Sequence, residues 1–99
     1  MTEKKLPPLH PGEVLKEDFL LPLNLSEYRL AKEIGVDPRR INAIVHGIRG
    51  ITSDTALRFE RFFGVSAQFW MNLQVGYDLE IEQSRIRARL QKIHEYEPA

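Results

Sequence analysis

Apolar residues in this chain recur three and four positions apart rather than on alternate positions, and the pattern restarts five times between breaks marked by glycine, proline or small polar residues. Val14, Leu15, Phe19 and Leu20 make the first stripe, Leu30, Ala31 and Ile34 the second, and Ile41, Ile44 and Val45 the third. Ala56, Phe59, Phe62 and Phe63 make the fourth, and Phe69, Trp70, Leu73 and Tyr77 the fifth. Residues at these intervals share one face of an α-helix, so each stripe predicts a helix with one buried side. Beyond Gly76 a thinner line, Leu79, Ile86, Leu90 and Ile93, crosses a strongly charged stretch and predicts a last amphipathic helix. No segment alternates long enough to predict a strand. The expected fold class is all-α: five helices packed as one compact domain, with an additional C-terminal amphipathic helix.

The breaks carry helix starts and stops. His10 and Pro11 predict the first start, because proline early in a helix gives up a donor that is unpaired there anyway, and Pro22 predicts the stop. Ser26 is the expected N-cap of the second helix, with Glu27 suited to its positive end. Gly35 falls where the chain must turn, a place that calls for positive φ, and Val36 is expected to plug the corner. Asp37 and Pro38 then supply a cap and a pre-set first residue for the third helix, which ends near Gly47. Thr52 or Ser53 is expected to cap a helix over about 54–63 that Gly64 closes, and Ser66 to cap the next. The predicted organisation is a flexible N-terminal arm over 1–9, with Lys4 and Lys5 in a solvated tail, a folded domain over 10–78, and a C-terminal helix over 79–99 free to pair with a copy or a partner.

The second and third helices form a pair with chemical consequences. Their apolar stripes face each other across a tight turn, so the third helix turns its remaining side outward, in the spacing of a helix-turn-helix. Pro38, Arg39, Arg40, Asn42 and Ala43 are the candidate base-reading residues. Arg39 suits the two acceptors of guanine, Asn42 the acceptor and donor of adenine, and Ala43 a thymine methyl. Ser26, His46 and Arg49 are the candidates for DNA backbone contacts.

Composition narrows the picture without deciding it. The 99 residues suffice for one small core, and 14 basic against 14 acidic residues give no overall attraction for nucleic acid. Locally, Arg39, Arg40, Arg49 and Arg58 face only Asp37 and Asp54, which predicts a basic surface around the third helix. The chain has no cysteine, so disulfides and thiolate chemistry are excluded, and it shows no signal-peptide core or membrane-length apolar run, which points to the cytoplasm. His10, His46 and His94 stand apart from any HExxH, phosphate loop or nucleophile elbow, so neither catalysis, cofactor nor metal is expected.

Ordered blocks of sequence carry a resemblance. HPGEVL from His10, RLAKEIGV from Arg29, HGIRGIT from His46, DTALRF from Asp54 and FWMNLQVGYDL from Phe69 closely resemble the HigA (VapI-like) antitoxin family, whose members carry a phage-repressor-like (XRE) helix-turn-helix domain. The resemblance implies a repressor-like five-helix domain that binds operator DNA as a homodimer and represses its own operon. It also implies a second partner, a HigB-like toxin of the RelE type that cleaves mRNA, with the first helix, the arm and the C-terminal helix all open as its docking surface. Paired reading heads imply an inverted-repeat operator with half-sites roughly 34 Å apart. Repressor-like domains often carry, where this chain has Glu27, a glutamine that hydrogen-bonds a phosphate; a carboxylate there would repel it. The alternatives are a solitary or phage-derived repressor without a toxin, and an interaction module that has lost DNA binding.

Overall fold

The computed structural model describes residues 7–98, so Met1 to Leu6 of the expected arm, Lys4 and Lys5 among them, lie outside the described residues. His10 starts the folded part: its imidazole Nδ1 accepts from Gly12 N–H at 2.9 Å and caps α1 (Pro11–Val14). The helix then widens into a π segment, Leu15–Leu20, with Leu21 N–H donating to the Lys16 carbonyl five residues back at 3.0 Å. Widening brings residues five apart toward one face, and Leu15 and Leu20 are both buried. Phe19 packs against the same core, so the stripe is used, though through a looser spiral than an α-helix.

After a turn in which Asn24 takes the left-handed conformation, α2 (Glu27–Ile34) begins at Ser26, whose Oγ accepts from Arg29 N–H at 3.0 Å. Gly35, at φ +74°, ends it and sends the chain back, and Asp37 caps α3 (Pro38–Val45). A residue with a Cβ would be strained at that corner. Leu30, Ala31 and Ile34 meet Ile41 and Ile44 in the core, with Val36 and Val45 half-buried beside them. Thr52 caps α4 (Ser53–Phe63), and Ser66 caps α5 (Ala67–Arg85).

Trp70 is the centre of the core and fully buried, with Phe19 and Phe59 each 4.9 Å from it and Phe69 at 5.2 Å between ring centroids. Burying such a ring removes more apolar surface from water than any other side chain here, so α4, α5 and the π segment are tied together at one point. Phe62, expected on the buried stripe of α4, stands at the rim with 39% of its surface exposed.

The C-terminal part differs from its expected form. The helix expected to start near 79 is the second half of α5, which runs unbroken through Gly76 to Arg85; a short α6 (Arg87–Leu90) follows after Ile86. Gln74 is the last buried residue of α5, and from Asp78 onward the helix leaves the body, giving the molecule extents of 56 × 35 × 21 Å.

A candidate DNA interface on the third helix

The outward side of α3 starts from its cap. The Asp37 carboxylate accepts from Arg39 N–H at 2.8 Å and fixes the first turn of the helix. The same carboxylate takes the Arg39 guanidinium in a two-pronged pair, Oδ1 with Nε at 3.2 Å and Oδ2 with Nη2 at 2.8 Å. These hydrogen bonds to Arg39 pull the Asp37 carboxyl down to a pKa of about 2 and push the guanidinium's up. The Arg39 side chain is nonetheless 91% exposed, so water screens the pair and a guanine edge or phosphate can replace the carboxylate.

The other candidate base readers have different surroundings. Pro38 and Asn42 are exposed and Ala43 is half-exposed on the same side. Asn42 Nδ2 donates to Glu27 Oε1 at 3.0 Å, reaching across to the start of α2. Arg40 points away from that edge: its Nη1 donates to Asp54 Oδ1 at 3.0 Å, and only 28% of the side chain is exposed. Asp54 also takes Arg58 Nε at 2.8 Å, and Arg58 Nη1 donates to the Ile34 carbonyl at 2.7 Å, tying α4 to the end of α2. Both arginines hold the Asp54 carboxyl below its usual range.

The candidate backbone contacts flank this edge. Ser26 lies at the start of α2, its hydroxyl engaged as a cap yet exposed. His46 is the C-cap residue of α3 and Arg49 follows in the exposed turn, where it makes no ion pair among the described residues. The local basic surface is therefore thinner than its composition predicts. Asp37 neutralises one arginine and Asp54 is shared by two, which leaves Arg49, among the described residues, as the free cation near the recognition helix.

Sequence reasoning did not anticipate four contributors: Glu27 as a partner of Asn42, Asp37 and Asp54 as arginine clamps, and Tyr28. Tyr28 is 66% exposed and lines a cleft with Glu27, Pro38, Arg39 and Asn42. Its signal was available, since an aromatic on the polar side of a short helix is an unusual use of a large ring.

A family pattern described as helix-turn-helix matches residues 15–70, more than half of the chain. Virulence-associated protein I of Dichelobacter nodosus is 51% identical over 81 residues, covering 82% of this chain and 75% of that protein. Antitoxin HigA-1 of Vibrio cholerae is 30% identical over 79 residues, covering 80% of this chain and 74% of the relative. The chain belongs to the HigA antitoxin family. A solved Pseudomonas aeruginosa antitoxin HigA with the higBA promoter superposes on this member with a TM-score of 0.83 at 42% identity, covering 92% of this chain and 97% of the other. The all-α class and the repressor-like helix-turn-helix expected from the sequence are those of this HigA-family chain.

Among the described residues no three His, Asp or Glu side chains gather to hold a metal ion. No described helix is long and apolar enough to cross a membrane.

Proposed function

We propose that this chain is the antitoxin of a toxin–antitoxin pair: a homodimer that binds an inverted-repeat operator through α3, represses its own transcription, and neutralises a HigB-like, RelE-type mRNA-cleaving toxin. The observation that carries the DNA half is the exposed edge of α3, where Arg39 and Asn42 stand outward on a rigid two-helix frame. The match to an antitoxin solved with promoter DNA supports the same reading. Arg39 and Asn42 are the primary base readers, Pro38 and Ala43 line the groove beside them, and Ser26, His46 and Arg49 anchor the DNA backbone. Arg40 joins them once DNA phosphate competes for its guanidinium against Asp54.

The protruding end of α5 and α6 supports the dimer. Asp78, Glu80 and Glu82 come first, and Arg85, Arg87, Arg89 and Lys92 follow, with Leu79, Ile86, Leu90 and Ile93 threaded between them. Two copies laid antiparallel place the acidic half of each against the basic half of the other, the self-complementarity that a two-fold interface demands. One reading head supplies little specificity, and two on one axis match a palindrome. The partners are thus a duplex, a second copy and a toxin, which makes the protein a cytoplasmic binding protein without a reacting group.

The test uses the DNA immediately upstream of the gene and the small reading frame beside it. A mobility shift is expected at low salt and should weaken steeply on going from about 50 to about 200 mM, by a factor of roughly a thousand or more for a dimer that neutralises several phosphates. Co-expression with the neighbouring frame should yield a stable complex. No shift at low salt contradicts the repressor; a shift without any complex reduces the protein to a solitary repressor.

A further inference from the structure

Glu27 is the first residue of α2, and Asn42 lies on the exposed side of α3, fifteen positions further along the chain. Asn42 Nδ2 donates to Glu27 Oε1 at 3.0 Å. A carboxylate accepts hydrogen bonds and has none to give, so chemistry alone requires that the amide turn its NH2 toward Glu27. The side facing away from Glu27 is left with one N–H and the carbonyl oxygen. Tyr28, Pro38 and Arg39 line the same open cleft beside the pair.

We infer that Glu27 is a positioning residue that makes Asn42 read adenine and reject guanine, an inference that rests on the DNA-binding reading of α3 given above. Adenine presents an acceptor, N7, beside a donor, the N6 amino group; guanine presents two acceptors, N7 and O6. An unrestrained asparagine can swing both of its N–H bonds toward guanine. With one N–H held by Glu27, Asn42 has a single donor left, and its oxygen meets guanine O6 with lone pair against lone pair. Against adenine the same pose makes both bonds. Glu27 thereby acquires a use that offsets its repulsion of phosphate: it trades general affinity for choice of base.

The experiment is selection from a randomised duplex pool, followed by titration of the selected inverted repeat and its single-base variants. Wild type is compared with Asn42→Ala, Glu27→Ala, Glu27→Gln and the double variant Glu27→Ala/Asn42→Ala. Asn42→Ala identifies the base position by erasing its preference. At that position wild type should prefer adenine over guanine by at least about fivefold, and Glu27→Ala should cut the preference to about twofold or less. Glu27→Gln puts a group that can donate as well as accept opposite Asn42, so the amide is no longer held one way round and the adenine preference should fall between those of wild type and Glu27→Ala. In its base preference at that position the double variant should match Asn42→Ala alone, because the two residues act as one unit there. Removing the carboxylate should also raise affinity for every duplex, but salt suppresses that effect and leaves the base preference in place.

The inference is overturned if Glu27→Ala strengthens all duplexes alike with the adenine preference intact, or if the two substitutions add independently at that position. Wild type selecting no sequence from the pool is a different outcome: it sinks the DNA-binding reading itself, and this inference with it.

Discussion

Gly12 lies against the backbone of Ile44, so close that a Cβ on Gly12 would sit 1.8 Å from the Ile44 carbonyl oxygen. The first helix therefore rests on the end of the recognition helix with nothing between the two backbones. The oxygen belongs to the main chain and cannot swing aside as a flexible side chain would. Gly12→Ala must push α1 from α3, with an expected loss of about 3 kcal/mol in stability, at the upper end of ordinary overpacking. Denaturant unfolding of the variant measures it.

Gln74 ties the loop after the recognition helix to α5: its Oε1 accepts from the buried Ile51 N–H at 2.7 Å, and its Nε2 donates to Asp78 Oδ1 at 2.9 Å. Gln74→Leu keeps the volume but orphans a buried N–H, and should lower stability by about 2 kcal/mol. Gln74→Glu keeps an acceptor for Ile51 and loses the donor to Asp78, so two carboxylates come together. Its stability deficit should shrink at acid pH, where a carboxyl can take up a proton and donate in place of the amide.

The contrast between what was and was not legible in the sequence follows the range of the interactions. Ser26, Asp37 and Ser66 as caps, Thr52 as one of two candidates for a fourth, and Gly35 as the corner are local effects, complete within about four residues, and the apolar stripes have a fixed period; these could be read directly. The π segment was not legible, because Leu15 to Leu20 has the composition of an ordinary helix and the widening answers to packing. Nor were the pairs that join distant positions: Gly12 with Ile44, Gln74 with Ile51, Asn42 with Glu27, and Arg40 with Asp54. Gln74 left a trace, a polar residue one helical turn after Trp70 on an otherwise apolar side, and such a residue is buried only with partners. For Glu27 the charge was legible and its partner was not, so its repulsion of phosphate was visible while its hold on Asn42 was hidden.

His10 joins the start of α1 to the end of α3. Its ring packs edge-on to Tyr77 at 4.8 Å and lies next to Gly47, while Nδ1 serves as the cap acceptor. Burial pushes its pKa below the usual 6.5, against the opposing pull of Glu13 and Asp78. The unfolded chain therefore takes up this proton before the folded one does. Stability present above pH 6.5 should fall as the pH drops below that value, and the cap is lost once the folded imidazole is protonated. Thermal unfolding of wild type and His10→Asn between pH 8 and 5 checks this; the variant, which keeps a capping acceptor, should show the shallower slope.

Asp37 titrates in the opposite chemical sense and much lower. Its carboxyl is drawn from 3.8 to about 2, first by the side-chain hydrogen bond from Arg39 and then by the one from Arg39 N–H. Its stabilising effect is present above pH 3.8 and drains away as the pH falls toward 2. Asp37→Asn retains a capping oxygen but lacks the charge. The stability difference between wild type and this variant should be constant near neutrality and close in that acid window, a comparison that circular dichroism follows directly.

The most direct test separates base reading from backbone anchoring on α3. Binding of Arg39→Ala and Arg49→Ala to the selected inverted repeat and to a scrambled duplex is titrated across a salt series. Arg39→Ala should lose roughly tenfold or more of its preference for the repeat. Arg49→Ala should weaken both duplexes alike and flatten the logarithmic salt slope by about one unit for each phosphate that Arg49 neutralises in the wild type. A result in which neither substitution changes binding to either duplex would contradict the assignment of α3 as the DNA-reading element.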